Sequence, residues 1–181
     1  MLQYSVLTPL FCLASRKLRI SGNRPLIKTS CTIVSPGTEL AVLTGKASWA
    51  PLPFIPGYGT VGTVIDPGAA QYLSAGGLVL TYGPHSEYTL DITLCIPIPK
   101  GINPHHAAMV RIAAISITAV RCSNIELGSS VLVVGGGLVG QFAAQLAQLA
   151  GAEVTLIEPS ECRRNIARAC GVGMVTSSLA Q

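Results

Sequence analysis

Charged and aromatic residues are scarce in this chain of 181 residues, at 11% and 5% of the total. An apolar fraction of 49% excludes an intrinsically disordered protein, which needs low hydrophobicity and high net charge. The net charge of +4 and the few aromatics also argue against a nucleic-acid surface. So few charges favour a surface partly covered by a second subunit, as in a homodimer. We interpret two short basic groups as solvated faces: Arg16, Lys17 and Arg19, and Arg163, Arg164 and Arg168.

Metal-ligand spacings and long apolar runs are lacking as well. None of the six cysteines forms C-x-x-C or has a histidine at ligand spacing, so free thiols in a reducing cytoplasm are expected. The apolar stretch Ala107–Val120 is interrupted by Arg111 and is too short to span a membrane. No positive residue precedes SVLTPLFCLAS near the N-terminus, so a strand is favoured there over an export signal.

The most informative segment runs from Ser129 to Pro159 and predicts a strand, a glycine turn, a helix and a second strand. Val131–Val134 is a continuous apolar run, typical of a strand buried in a parallel sheet. The glycines that follow give G-x-G-x-x-G at the start of the predicted helix, where unpaired N–H groups attract a phosphate. We therefore predict a dinucleotide site formed by Gly135, Gly136, Gly137, Leu138, Val139, Gly140, Glu158 and Arg163.

Glu158 governs the choice of cofactor. It ends the second strand, 18 residues after Gly140, where a carboxylate can accept hydrogen bonds from an adenosine ribose. A carboxylate also repels a 2′-phosphate, which favours NAD. Arg163 and Arg164 follow closely and could accommodate that phosphate, so NADP stays open.

The first half of the chain predicts short strands separated by turns, which is typical of a partly open β-barrel. The second half predicts an α/β unit whose first helix turns Val139, Phe142, Ala143, Leu146, Leu149 and Ala150 to its sheet. The sequence thus predicts two domains, residues 1–108 and 109–181. The predicted strands are Leu26–Val34, Gly62–Ile65, Leu78–Tyr82, Glu87–Leu90, Leu94–Ile98 and Val172–Thr176, with helices at Glu39–Leu43 and His105–Val120.

Four segments together resemble the medium-chain dehydrogenase/reductase family: SPGTEL, PGYGTVGTV, GPHSEYTL and the glycine-rich unit. The resemblance implies a GroES-like catalytic domain followed by the first half of a Rossmann domain. It also implies an NAD(P)-dependent oxidoreductase that acts on a small-molecule substrate. The resemblance covers nearly the whole chain, which matches only about the first half of such a protein.

The family's zinc ligands are replaced in this sequence. Where zinc-dependent members carry C-G-T-D, this chain has Pro36 in place of the cysteine. Tyr58 stands in place of the histidine of G-H-E, and the third ligand would fall near Val110 or Arg111. The four-cysteine structural lobe is absent too. Because a catalytic zinc needs about three protein ligands, we predict that the protein works without zinc.

The resemblance points to Thr38 and Tyr58 as catalytic candidates. Thr38 matches the family's hydroxyl residue, which hydrogen-bonds the substrate oxygen, but it could instead cap a helix before Glu39. The Tyr58 phenol could donate to a developing oxyanion, or simply be a barrel aromatic with its hydroxyl in solvent. We interpret His85 as an exposed turn residue, and Arg111 as a charge that needs a partner inside an apolar helix.

Two functions remain open at this level. The first is zinc-independent hydride transfer to or from a small carbonyl, alcohol, enone or quinone. The alternative is a catalytically inactive, truncated nucleotide-binding remnant that keeps the adenosine half-site. A swapped oligomer is a further possibility, because the last predicted strand would otherwise leave an exposed sheet edge.

Overall fold

The computed structural model describes residues 2–7, 10–15, 22–90 and 94–178. The basic group at Arg16, Lys17 and Arg19 lies outside these ranges. The chain divides into two compact units, Met1–Met109 and Val110–Gln181. That the two units are a catalytic and a nucleotide-binding domain stays a prediction.

The first unit is built on an antiparallel sheet of five strands. Its elements, with those of the N-terminal segment, are β1 (Leu2–Leu7), β2 (Leu10–Ser15), β3 (Leu26–Thr32), α1 (Pro36–Leu43), β4 (Thr60–Asp66), β5 (Leu78–Thr81), β6 (Tyr88–Leu90) and β7 (Cys95–Pro97). Strands β1 and β2 form a separate two-stranded antiparallel ribbon. In the larger sheet the strand order is β6-β3-β4-β5-β7, and no pairing between β6 and β7 closes it among the residues described. The GroES-like sheet is therefore present without a closed barrel among these residues.

The core of this sheet follows from the period-2 pattern of its strands. Ile27, Val64 and Val79 point to one face and are almost fully buried together with Leu73 and Cys95. Strands β3 and β4 approach closely at Gly62, where an added Cβ would meet the Lys28 carbonyl group. A glycine at that position lets the two central strands pair.

The second unit holds a parallel three-stranded sheet with the order β10 (Met174–Thr176), β9 (Glu153–Ile157), β8 (Ser130–Val134). This is the first half of a dinucleotide-binding fold, in which each strand lies beside the one that precedes it in sequence. Its core consists of seven buried apolar residues: Ala144, Ala147, Ala152, Val154, Leu156, Ala167 and Val172. The elements are α2 (Pro104–Cys122), which begins in the first unit, β8 (Ser130–Val134), α3 (Leu138–Leu149), β9 (Glu153–Ile157), α4 (Glu161–Ala169) and β10 (Met174–Thr176).

The face of α3 that meets the sheet differs from the predicted one. Gln141, Ala144 and Ala147 are the buried residues of this helix, whereas Val139 and Leu149 are exposed. Small side chains let the helix axis come close to the strands, so the alanines hold the contact and the larger residues lie at its flanks. The prediction that Val139, Phe142, Ala143, Leu146, Leu149 and Ala150 form the buried face of α3 is therefore wrong.

Among the helices of the described residues, none combines the length and the apolar character that a transmembrane segment needs.

Candidate functional site

A glycine turn joins the end of β8 to the start of α3. Gly135 has φ of +99°, a backbone conformation that side-chain-bearing residues rarely adopt. An added Cβ at Gly140 would run into the carbonyl oxygen of Gly135, so this glycine lets the first turn of α3 lie against the loop. A Cβ at Gly137 would meet nothing within 4 Å. The backbone is therefore bare and accessible directly in front of the helix N-terminus.

The side chain of Glu158 packs against this glycine turn. Its Oε2 accepts the N–H of Gly136 at 2.7 Å, and its Oε1 accepts the N–H of Ser160 at 2.7 Å. The residue is only 4% exposed. A Cβ at Gly136 would lie 2.9 Å from the Cβ and Cγ of Glu158, so only glycine fits against the carboxylate arm. The acidic residue thus holds the glycine turn and the start of α4 together.

The same hydrogen bonds set the ionisation of Glu158. The backbone N–H of Ser160 lowers the pKa of this carboxyl most, followed by that of Gly136. Burial raises the pKa of Glu158, but less than the backbone hydrogen bonds lower it. The Arg163 guanidinium, whose Nη1 lies 3.7 Å from Oε2, lowers the pKa further. An ionised carboxylate offers about four lone-pair positions, so Glu158 can still accept hydrogen bonds from a ligand.

The two arginines after Glu158 differ in how they are used. Arg164 donates through Nη1 to the carbonyl oxygens of Glu158 and Pro159, which ties its side chain to the end of β9. The Arg163 side chain is more than half exposed, and its Nη1 lies 3.7 Å from Oε2 of the Glu158 carboxylate. Arg163 is therefore the arginine that can turn towards a ligand.

Two polar residues that the sequence analysis did not single out also support the turn. Gln141 is 8% exposed, and its Nε2 donates to the carbonyl oxygens of Gly136 at 3.1 Å and Arg163 at 2.9 Å. Ser116 is fully buried on α2, and its Oγ donates to the carbonyl oxygen of Val139 at 2.9 Å. A polar residue among the small apolar residues of α3 was the signal that could have pointed to Gln141.

The catalytic candidates lie in the first unit. Thr38 is exposed in the first turn of α1, and its Oγ1 accepts a hydrogen bond from Ser35 Oγ at 3.1 Å. The helix begins at Pro36 with Ser35 as its N-cap, so the idea that Thr38 caps it is wrong. Proline fits this first position because its φ is already helical. Tyr58 is half-buried, and its role stays a prediction.

The interpretation of His85 as an exposed turn residue is wrong. Its side chain is 12% exposed. Its Nδ1 lies 2.7 Å from Thr32 Oγ1, and its Nε2 lies 3.1 Å from Glu39 Oε1. The loop can come this close because Gly57, with φ of +104°, carries no Cβ that would strike the backbone of Pro84 and His85. Partners so distant in sequence could not be found from the local pattern.

The residues that the resemblance assigns to the family's zinc positions lack the side chains that usually bind zinc. Pro36 has no side-chain donor atom, and Tyr58 and Gly59 supply neither imidazole nor carboxylate. Within the described part of the chain, no three histidine, cysteine, aspartate or glutamate residues gather as a metal site would require.

Comparison with known proteins adds independent information, although no family model matches the chain. It is 34% identical over 117 residues to the D-guloside 3-dehydrogenase of Shigella flexneri, a match over 61% of this chain and 33% of that protein. The fold matches the acetophenone reductase of Geotrichum candidum in complex with NAD, with a TM-score of 0.88 and 22% identity over 99% of this chain and 63% of the other.

A second solved structure is a protein of Sinorhizobium meliloti 1021 described as a zinc-binding dehydrogenase and bound to NADP. It matches with a TM-score of 0.84 and 23% identity over 98% of this chain and 61% of that one. The homologue and the two structural neighbours described here are dehydrogenases or reductases of the medium-chain, alcohol-dehydrogenase-like type. The family resemblance seen in the sequence is therefore confirmed. The chain spans about a third of the curated relative and about three fifths of each solved structure.

Proposed function

We propose that the chain is an NAD(P)-dependent oxidoreductase of the medium-chain dehydrogenase/reductase type that transfers hydride without zinc. The substrate would be a small carbonyl, alcohol, enone or quinone. The observation that carries the proposal is the pairing of a bare glycine turn with a buried, ionised Glu158 beside it. The family assignment supports a nicotinamide cofactor, since one neighbour binds NADP and another NAD.

The glycine turn fits such a cofactor. The N-terminus of α3 presents N–H groups that have no partner within the helix and carries a partial positive charge, both of which suit a diphosphate. Gly137 leaves space for the diphosphate in front of the helix, and Glu158 offers acceptor positions for ribose hydroxyls. When bound, the nicotinamide would supply hydride chemistry, and the protein would position and polarise the substrate. Thr38 and Tyr58 are our candidates for that polarisation.

NAD is the preferred cofactor in this proposal. A buried carboxylate beside the glycine turn accepts from a free 2′-hydroxyl and repels a 2′-phosphate. Arg163 contacts this carboxylate at 3.7 Å and could weaken the discrimination by pairing with a phosphate. The relative affinities for NADH and NADPH therefore show whether Glu158 or Arg163 has the larger effect on cofactor choice.

Zinc independence rests on the side chains at the ligand positions. The replacement of a cysteine by Pro36 and a histidine by Tyr58 removes a thiolate and an imidazole, the donors that zinc prefers. If hydride transfer by the purified protein ceases after dialysis against EDTA and returns with added zinc, this part of the proposal is wrong. Unchanged turnover after the same dialysis supports it.

Calorimetry with NADH and NADPH tests the cofactor site directly. We expect Gly137→Val to abolish binding, because the new side chain fills the space in front of α3. Gly22→Val is the matched control, since a Cβ there also meets nothing within 4 Å. If the parent chain gives no heat with either nucleotide, the proposal fails.

Oxidation of NADH or NADPH against quinones, enones and aldehydes then separates the enzyme from a nucleotide-binding remnant. Turnover with any of these acceptors supports the enzyme. Binding without turnover on the whole panel would favour the remnant instead.

A further inference from the structure

A buried amide on α3 joins the glycine turn to α4. Gln141 is 8% exposed, and its Nε2 donates to the carbonyl oxygen of Gly136 at 3.1 Å and to that of Arg163 at 2.9 Å. Gly136 belongs to the glycine turn and Arg163 to the first turn of α4, so one side chain links the two segments. Both acceptors are carbonyl oxygens, which cannot donate, and this fixes the orientation of the amide group.

The oxygen of this amide makes stability a poor explanation for Gln141. Its Oε1 is buried and has no hydrogen-bond partner among the described residues. A buried acceptor without a partner lowers stability, and an unbranched apolar side chain of the same length would avoid that cost. The Arg163 carbonyl is also a regular acceptor within α4, because a helix pairs each carbonyl with the N–H four residues further on. Residues that break a packing rule without a gain in stability are expected at functional sites.

Gln141 holds the start of α4 at a second point. Glu158 already holds this helix, because its Oε1 accepts the N–H of Ser160 at 2.7 Å. One point of attachment leaves the first turn of α4 free to rotate about it. The attachment at the Arg163 carbonyl removes this freedom and sets the direction in which the Arg163 side chain leaves the helix. Nη1 of Arg163 accordingly lies 3.7 Å from Oε2 of Glu158, beside the proposed position of the ribose.

We propose that Gln141 is a positioning residue for cofactor choice, which holds Arg163 where its guanidinium pairs with a 2′-phosphate beside Glu158. The site then accepts NADPH as well as NADH, although the carboxylate repels the phosphate. A guanidinium binds a phosphate through two parallel N–H groups, so the pair depends on direction as well as on distance. The inference rests on the proposed function, because it takes the adenosine end of a nicotinamide cofactor to lie at the glycine turn.

Calorimetry with NADH and NADPH tests this role on four forms of the full chain: the parent, Gln141→Met, Arg163→Ala and the double variant. Methionine matches glutamine in length but cannot donate a hydrogen bond. We expect Gln141→Met to weaken NADPH binding about tenfold, as for the loss of a hydrogen bond to a charged group, and NADH binding less than about threefold. Arg163→Ala should have the same selective effect. Adding Gln141→Met to Arg163→Ala should then leave the ratio of the two affinities unchanged, because Gln141 acts through Arg163.

Gln148→Met is the matched control. Gln148 lies on the same helix, and its Nε2 donates to the carbonyl oxygen of Gly171 at 3.2 Å, which links α3 to the chain that follows α4. This hydrogen bond lies at the end of α3 away from the glycine turn, so its loss should leave the ratio of the two affinities as in the parent. Urea denaturation measures stability separately. We expect similar midpoints for Gln141→Met and Gln148→Met, because the first change also removes an unpaired buried oxygen.

A ratio that Gln141→Met leaves unchanged, whether both affinities fall or neither does, would overturn the inference. It is also overturned if Gln141→Met shifts the ratio as much in the Arg163→Ala chain as in the parent, or if the parent gives no heat with NADPH. Should Gln141→Met fail to fold, Gln141→Ala takes its place, since alanine suits a helix and occupies the other buried positions of α3.

The outcomes for the inference and for the proposed function can be told apart. If the ratio shifts as expected but no acceptor oxidises either nucleotide, the role of Gln141 stands and the proposed hydride transfer fails. If NADH is oxidised but Gln141→Met leaves the ratio of the two affinities unchanged, the reverse holds.

Discussion

At the scale of single residues, Glu158 connects the stability of the fold with the proposed cofactor site. Its carboxylate accepts two backbone N–H groups and retains lone pairs that could accept further hydrogen bonds. The position of this residue and of the three glycines could be predicted, because strand, turn and helix follow one another locally. Gln141 and His85 could not, because their partners lie on segments that only the folded chain brings together.

The lowered pKa of Glu158 predicts a pH-dependent contribution to folding. The ionised form is favoured in the folded state, so the stabilisation is complete well above the unfolded carboxyl pKa of about 4.3. It is lost as the pH falls through the lower folded pKa. We therefore expect Glu158→Gln to lower the urea midpoint at pH 7, with the difference from the parent vanishing at acid pH. Glu153→Gln, an exposed residue on the same sheet, should leave the midpoint unchanged at every pH.

Two glycines of the turn should respond differently to the same substitution. Gly140→Ala drives a methyl group into the carbonyl oxygen of Gly135, and should cost about 1–3 kcal/mol in the free energy of unfolding. Gly137→Ala meets open space and should cost much less, but it narrows the proposed diphosphate site. Urea denaturation and NADH calorimetry on both variants separate the two roles. Similar losses of stability in both would contradict this division.

At the scale of elements, the apolar periodicity of α3 predicted the wrong buried face. In a helix rich in alanine, several faces are about equally apolar. The prediction chose the face with the largest apolar side chains, and that face is not the buried one. The observed contact uses Ala144 and Ala147, which lie against β8 and β9 with almost no exposure. By contrast, Gly151 follows the C-cap Ala150 with φ of +95°, the left-handed conformation that glycine commonly adopts just after a helix. Capping depends on one residue, whereas the buried face depends on packing partners.

The observed face predicts how α3 tolerates larger side chains. Ala147→Leu adds volume where the helix meets the sheet and should lower the free energy of unfolding by about 1–3 kcal/mol. Leu149→Ala removes a side chain that is 84% exposed and should change it by less than about 0.5 kcal/mol. Urea denaturation of the two variants decides between the observed face and the predicted one. If Leu149→Ala were the more damaging change, the predicted face would be the correct one.

At the scale of the whole molecule, the scarcity of charge predicted a partly covered surface, and β8 is one of several places where large apolar side chains are exposed. Strand β8 forms one edge of the parallel sheet as far as the described residues show. Leu132 and Val134 lie on it and are 50% and 76% exposed. An accessible strand edge with apolar side chains is a common site of association between chains. The edge could not be placed from composition, which carries no positional information.

We therefore propose that the chain associates through the β8 edge as a homodimer, and we expect the molar mass from light scattering to rise with concentration. Val134→Lys places a charge on this edge and should shift the transition to higher concentration, because burying an unpaired ammonium group is costly. Tyr72→Lys, at an exposed position of the first unit, is the matched control. A constant monomer mass for the parent, or equal effects of the two lysines, would rule out this edge as the contact. Association that Val134→Lys weakens while Tyr72→Lys does not would place the subunit contact on the sheet that carries the glycine turn.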